Sequence, residues 1–163
     1  MRSLAAGLAL ACAAGAGAVE NDPLPVPKGS PREHAIGLYN HGVLLMLQKH
    51  FAAAQQRFEA ALALDDSIAE AHNNLAYALR RQGAANHDRA LAHYGRALAL
   101  KPALAEAYVY RGALLASLGR LEEARADRAR LEGLNPKLAS LLERILAGAD
   151  TLETTEGLSA QYD

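Results

Sequence analysis

The chain has 163 residues with a formal net charge of -1; 51% of it is apolar but only 5% aromatic. That charge balance carries no basic field and argues against a nucleic-acid partner. No stretch alternates apolar and polar residues and β-branched residues are scarce, so strands are excluded and the core must rest on Ala and Leu, both strong helix formers.

Residues 1–18 read as a signal peptide. Arg2 supplies a positive start, Leu4 to Ala14 an apolar stretch, and Ala16-Gly17-Ala18 an A-x-A cleavage signal before Val19. The apolar run ends before the roughly 20 residues a spanning helix needs. Cleavage after Ala18 makes the mature protein exported, periplasmic or secreted. Cys12 is the only cysteine and offers an alternative, the lipidated residue of a membrane-anchored assembly factor, with leucine in Ala9-Leu10-Ala11 one place late for a good lipobox. Without Cys12 the mature chain has no disulfide, thiolate metal site or thiol chemistry. Residues 19–31 (VENDPLPVPKGSP) carry four prolines and predict an extended linker.

From there a pattern recurs. Phe51 to Asp66, His87 to Pro102 and Leu121 to Pro136 each place alanine at the same internal position (Ala54, Ala90, Ala124), followed seven residues on by Ala61, Ala97 or Leu131. Each is preceded by another helical segment with its own small residue, Gly42, Ala76 or Gly112. The first helices are predicted at Arg32 to Gln48, Ser67 to Gln82 and Ala103 to Leu118. The second helices are predicted at Phe51 to Leu64, His87 to Leu100 and Leu121 to Leu134. Pro102 and Pro136 suit helix starts, where the missing N–H costs little. Asp65, Asp66 and Ser67 suit helix N-caps, and Gly83 and Gly119 the turns after the first helices. Lys49 stands where the first unit lacks that glycine.

After Pro136, Leu138, Leu141, Leu142 and Ile145 form one apolar stripe. An array exposes the apolar face of its last unit, so residues 137–148 are expected to form a capping helix with a polar outer side. Residues 149–163 hold Asp150, Glu153, Glu156 and Asp163 and no basic residue, which predicts a solvated, disordered acidic tail.

A period of about 34 residues with two helices per unit is the signature of a helical repeat array. These units resemble the tetratricopeptide repeat, through Leu75-Ala76, Leu79, Ala90-x3-Tyr94, Ala97 and Pro102 in the second unit. The first matches through Leu38, Gly42, Leu45, Ala54-x3-Phe58 and Ala61, the third through Tyr108, Gly112, Leu115, Ala124 and Pro136. The resemblance covers repeats at 35–68, 69–104 and 105–138 within a domain at 32–148. It implies an all-α solenoid of helical hairpins. His72, His41, Arg111, Arg128 and Asp66 depart from the pattern, and two extra residues separate Gly83 from Ala90.

The search for chemistry yields no H-E-x-x-H, glycine-rich phosphate loop, C-x-x-C-H or G-x-S-x-G. Six histidines are scattered, and the nearest cluster, Asn86-His87-Asp88 with His93, reads as a capped loop, with metal handling the weaker alternative. Arg80-Arg81 and the Arg125, Arg128, Arg130 group read as solvated helix faces. The expectation is a non-enzymatic protein without cofactor or metal.

The family resemblance implies that an extended peptide or protein segment binds the concave face, mainly on the first helices. The residues in place are Tyr39, Asn40, Val43 and Leu47, then Asn73, Asn74, Tyr77 and Arg81, then Val109, Tyr110 and Ala113. Asn40 and Asn74 suit the gripping of a peptide backbone from a solvent-facing position, and the tyrosines add apolar contact with a polar tip. Glu70 and Glu106 at the rim argue against a basic clamp for a C-terminal carboxylate. The function expected is a scaffold for a protein segment in the assembly of an envelope complex.

Overall fold

The computed structural model describes residues 29–155. The expected signal peptide with Cys12, residues 19–28 of the expected linker and the chain after Thr155 lie outside the described residues. Seven α-helices follow one another there: α1 (Pro31–Leu47), α2 (Phe51–Leu64), α3 (Ala69–Arg81), α4 (His87–Leu100), α5 (Ala105–Ser117), α6 (Leu121–Leu134) and α7 (Pro136–Leu146). Short 3-10 turns lie at Ala84–Asn86 and Leu152–Thr155. Helices α1 and α2, α3 and α4, and α5 and α6 pair as hairpins, and α7 packs on both α5 and α6. The described residues form no strand, and no described helix is long and apolar enough to cross a membrane.

The second helix of each hairpin has the bounds its periodicity predicts. The first helices differ at their starts. Ser30 caps α1, accepting from the Glu33 N–H while the Glu33 carboxylate accepts from the Ser30 N–H at 2.6 Å; Pro31 therefore opens a helix rather than closing the linker. Helix α3 begins at Ala69, with Ile68 at its N-cap and no side-chain cap. Asp65 turns the preceding chain instead, accepting from the Ser67 N–H at 3.0 Å and the Ser67 hydroxyl at 2.5 Å. Pro102 likewise sits in the turn before α5, whose N-cap is Leu104. Pro136 does open α7, where the Asn135 side chain accepts from the Leu138 N–H at 3.2 Å.

The turn after each first helix needs a left-handed residue. Gly83 and Gly119 supply it with φ of 112° and 75°, and Lys49 takes φ 62° at the corresponding place, where a side chain costs roughly 1–2 kcal/mol. The two extra residues of the second unit are absorbed by the 3-10 turn at Ala84–Asn86.

Packing depends on small residues. Ala54, Ala61, Ala90, Ala97 and Ala124 have no exposed surface, and neither have Phe58, Tyr94 and Leu131. A Cβ added to Gly42 would fall 2.6 Å from Cε1 of Phe58, and one added to Gly112 would fall 2.5 Å from Cδ2 of Leu142. The cap is thus keyed into the last hairpin. Leu138, Leu141 and Leu142 are all buried, each contributing up to about 1.5–3 kcal/mol. Arg128 fastens the same seam, pairing with Glu132 at 2.8 Å and with Glu143 of α7.

The tail does not leave the fold where its composition predicts. Arg144 pairs with Asp150 at 2.5 Å, and the turn at Leu152–Thr155 packs on α5 with Thr155 fully buried. Composition reports solubility; it misses a short segment that borrows its partners from a distant helix.

Gly112→Ala should destabilise the protein by about 1–3 kcal/mol through overpacking, and Leu142→Ala by about 2–5 kcal/mol through the cavity it leaves. The double variant should lose clearly less than the sum, because the new methyl occupies space that Leu142 vacates. Urea unfolding of the four proteins measures this, and additive losses would mean that the two residues do not meet.

Candidate functional site

The inner helices α1, α3 and α5 carry the residues expected to receive a ligand, and the structure brings most of them together. The Asn73 amide donates to the Asn74 carbonyl at 3.2 Å, and the Asn74 amide donates to the Tyr39 hydroxyl at 3.2 Å. A polar line thus runs from α3 to α1. Beside it the Tyr77 and Tyr110 rings meet edge to face at 5.4 Å, with Phe51 against Tyr77 at 6.1 Å. Tyr39 leans on Phe58 at 5.9 Å.

Asn74 does not face solvent, contrary to the sequence expectation. It is 6% exposed, Asn73 4% and Tyr77 7%, while Val109, Tyr110 and Ala113 are fully buried. The reason is geometric: the Asn74 amide bonds to Tyr39 on the neighbouring first helix and accepts from Asn73, which draws both side chains into the wall between repeats. Tyr39, Val43 and Arg81 are half-buried, and Asn40 and Leu47 are exposed on α1 and lie outside the polar line.

Arg80 belongs to this face and was read from sequence as solvated. It is 5% exposed, with its guanidinium 4.9 Å from the Tyr77 ring and 5.9 Å from the Tyr110 ring. Arg81 lies 4.8 Å from the Phe51 ring. A cation over an aromatic face in a desolvated place contributes on the order of 2 kcal/mol. The signal was in the repeat register, since Met46 and Ala116 occupy the corresponding places in α1 and α5. An arginine at an apolar position is an arginine with an internal partner.

A second polar cluster lies between α3 and α4. His72 Nδ1 is 3.0 Å from His93 Nδ1, the rings stacked at 5.3 Å, and His72 Nε2 is 3.1 Å from the Asp66 carboxylate. Arg96 donates to the other Asp66 oxygen at 2.7 Å. His93 therefore faces His72, not the His87 turn with which its sequence position grouped it. Among the described residues no group of three or more His, Cys, Asp or Glu is placed to hold a metal ion. A third pair, Arg111 and Asp127, joins α5 to α6 through two bonds of 2.9 and 2.5 Å, with Asp127 3% exposed. Its strength depends on both partners, since removing one leaves a charge in a desolvated place.

Burial and the nearby His72 hold the His93 imidazole below its ordinary value of 6.5, with a smaller contribution from Arg89 and opposition from Glu59 and Asp66. The folded chain therefore binds fewer protons than the unfolded chain as the pH falls through about 6.5, and this contribution to stability is present above that pH and lost below it. His93→Gln keeps a partner for His72 and does not titrate. Its urea stability should depend less on pH between about 5 and 7 than the parent's, and an unchanged slope would assign the dependence elsewhere.

Asn74→Ala removes both links of the polar line. It should cost about 1–3 kcal/mol of stability, read as a lower thermal midpoint; an unmoved melt would mean that the amide is solvated.

No family model and no curated protein matches the sequence. Solved structures do. The Arabidopsis OM64 TPR domain superposes with a TM-score of 0.68 at 23% identity, over 74% of this chain and 100% of that domain. The first TPR of Spaghetti (RPAP3), bound to the HSP90 peptide SRMEEVD, gives 0.65 at 25% identity over 72% of this chain and 94% of that one. The Yersinia enterocolitica type III secretion chaperone SycD, in complex with a peptide of the translocator YopD, gives 0.64 at 15% identity over 72% and 92%. With its repeated hairpins, buried alanines and terminal cap, the chain is a tetratricopeptide-repeat array in fold.

Proposed function

We propose that this array is a non-enzymatic scaffold that holds a peptide or protein segment against its inner face. The observation that carries the reading is convergence. Three separate repeats contribute Tyr39, the Asn73 and Asn74 amides, Tyr77, Arg80, Arg81 and Tyr110 to one face. Half-buried Tyr39 offers aromatic contact area at low entropic cost. Arginine gives charge-assisted hydrogen bonds to carbonyls and carboxylates. The Spaghetti domain, 25% identical, was solved with a peptide bound, which supports the same use here.

The rim is different in sign. Glu70 is neutralised by Lys101 at 2.6 Å, and Glu106 stands at the matching place in α5. A ligand held by half-buried Arg81 would therefore be selected near the C-terminal end of α3 rather than along the rim. The finer reading is an exported protein, cleaved after Ala18, that holds its partner during assembly of an envelope complex. Anchorage through a lipidated Cys12 is the alternative that the single cysteine supports.

Arg81 is the residue of this face best placed to test the function without disturbing the fold, being half-buried at the end of α3. Arg81→Ala should weaken capture of a partner recovered from native envelopes by about 5-fold to 150-fold, corresponding to about 1–3 kcal/mol, while the far-UV melt falls only by the roughly 0.5–1 kcal/mol of its contact with the Phe51 ring. Titration calorimetry with that partner measures it. Equal affinity for parent and variant would place the ligand away from the inner face.

A further inference from the structure

We propose that His72 and His93 form a binding site for a soft monovalent cation with a filled d shell, Cu(I) or its analogue Ag(I), held in line between their Nδ1 atoms. The protonation of His72 is the first observation. Its Nε2 has two neighbours, the Asp66 carboxylate at 3.1 Å and the Asp66 carbonyl at 3.2 Å. Both are acceptors, so Nε2 carries a proton and the neutral ring presents a bare lone pair at Nδ1. A carboxylate behind a histidine fixes the ring and raises its basicity, which is the arrangement that supports metal-bound histidines.

The direction of the facing nitrogen is the second. His93 Nδ1 lies 3.0 Å from His72 Nδ1, and the ring centroids lie 5.3 Å apart. The difference is about two ring radii, so each Nδ1 points along the line that joins the rings. Neutral His93 fills the gap with its own Nδ1 proton. With that proton on Nε2 instead, two lone pairs oppose each other on one axis, and a cation between them satisfies both. Two imidazole–metal bonds of about 2 Å span about 4 Å, so the nitrogens must part by about 1 Å. His72 is 4% exposed and tied at Nε2; half-buried His93 supplies the movement.

Geometry and charge together select the ion. Zinc takes three or four protein ligands, and no group of three or more His, Cys, Asp or Glu is so placed among the described residues. A monovalent ion with a filled d shell is satisfied by two nitrogens in line, and imidazole is a ligand that copper accepts. The carboxylates that act on His93 are Glu59 and Asp66. Each already has an arginine, Arg89 on Glu59 at 3.0 Å and Arg96 on Asp66 at 2.7 Å. With both carboxylates neutralised, one positive charge is accommodated at less cost than two. Binding to the neutral pair releases no proton: the ion takes both Nδ1 lone pairs and the His93 proton passes to Nε2.

Silver(I) keeps its oxidation state in air and is the probe. Cys12, the only cysteine, would take the same ion, so the titrations use the full-length chain with Cys12→Ser. In nitrogen-labelled protein, one equivalent of Ag(I) should shift the Nδ1 resonances of His72 and His93 together and split both by coupling to silver. The resonances of His34, His41, His50 and His87 should stay in place, and the thermal midpoint should rise with Ag(I) concentration. Under anaerobic conditions Cu(I) should displace the silver, and Zn(II) should not. His93→Gln should remove the splitting, cancel the rise in midpoint and weaken binding by more than the roughly 10-fold to 100-fold that losing an outer partner costs a metal site. Equal Ag(I) affinity in parent and His93→Gln overturns the proposal. So does silver coupled to one histidine of the pair alone, displacement by Zn(II), or failure of Cu(I) to compete.

Discussion

Ala54, Ala90 and Ala124 sit at the same place in successive hairpins and have no exposed surface. Interhelical distance is set by the side chains at the contact, and buried methyl groups on the second helices, with Gly42, Ala76 and Gly112 on the first, leave room for a close approach. The rest of the array depends on it. Only at that separation does Phe58 lie over Gly42 and Leu142 over Gly112, and only then do α1, α3 and α5 stand near enough for Tyr39 to accept from Asn74 across a repeat boundary. Once those small contacts are made, the inner face is a consequence of repetition.

Polar groups inside the hairpins follow a different logic. Three residues past the buried alanine, the second helices carry Arg57, His93 and Asp127. In the first unit that position is exposed and Arg57 is solvated. In the later units it turns inward, and each polar residue meets a partner on the first helix, His72 for His93 and Arg111 for Asp127. Such pairs add little net stability over apolar packing, but a wrong neighbour would leave a buried group unsatisfied. They distinguish one hairpin from the next in a chain whose apolar contacts are nearly interchangeable, and so favour the correct order of stacking.

The second helices were legible to the residue because alanine periodicity and the breakers at their ends act locally. The first helices were legible in existence but not at their starts: Asp65 turns one oxygen to Ser67 and the other to Arg32, and Pro102 sits two residues before the N-cap, choices made by turn chemistry. The inner-face residues were identified by register, but the burial of Asn73 and Asn74 was not, because it depends on a tyrosine about one repeat away. Arg80 and the segment through Thr155 were missed for one reason. A charged residue or an acidic stretch looks solvated until the surface that receives it is known, and that surface is assembled from other repeats.

The central claim is that the inner face, not the outer row of second helices, receives the protein segment. Photocrosslinking in cells that produce the protein, from an unnatural residue placed at exposed Asn40 of α1, compared with one at exposed Arg57 of α2 or Arg130 of α6, tests it most directly. The account predicts a discrete adduct from position 40 that is absent from positions 57 and 130. An adduct confined to positions 57 and 130 would contradict it.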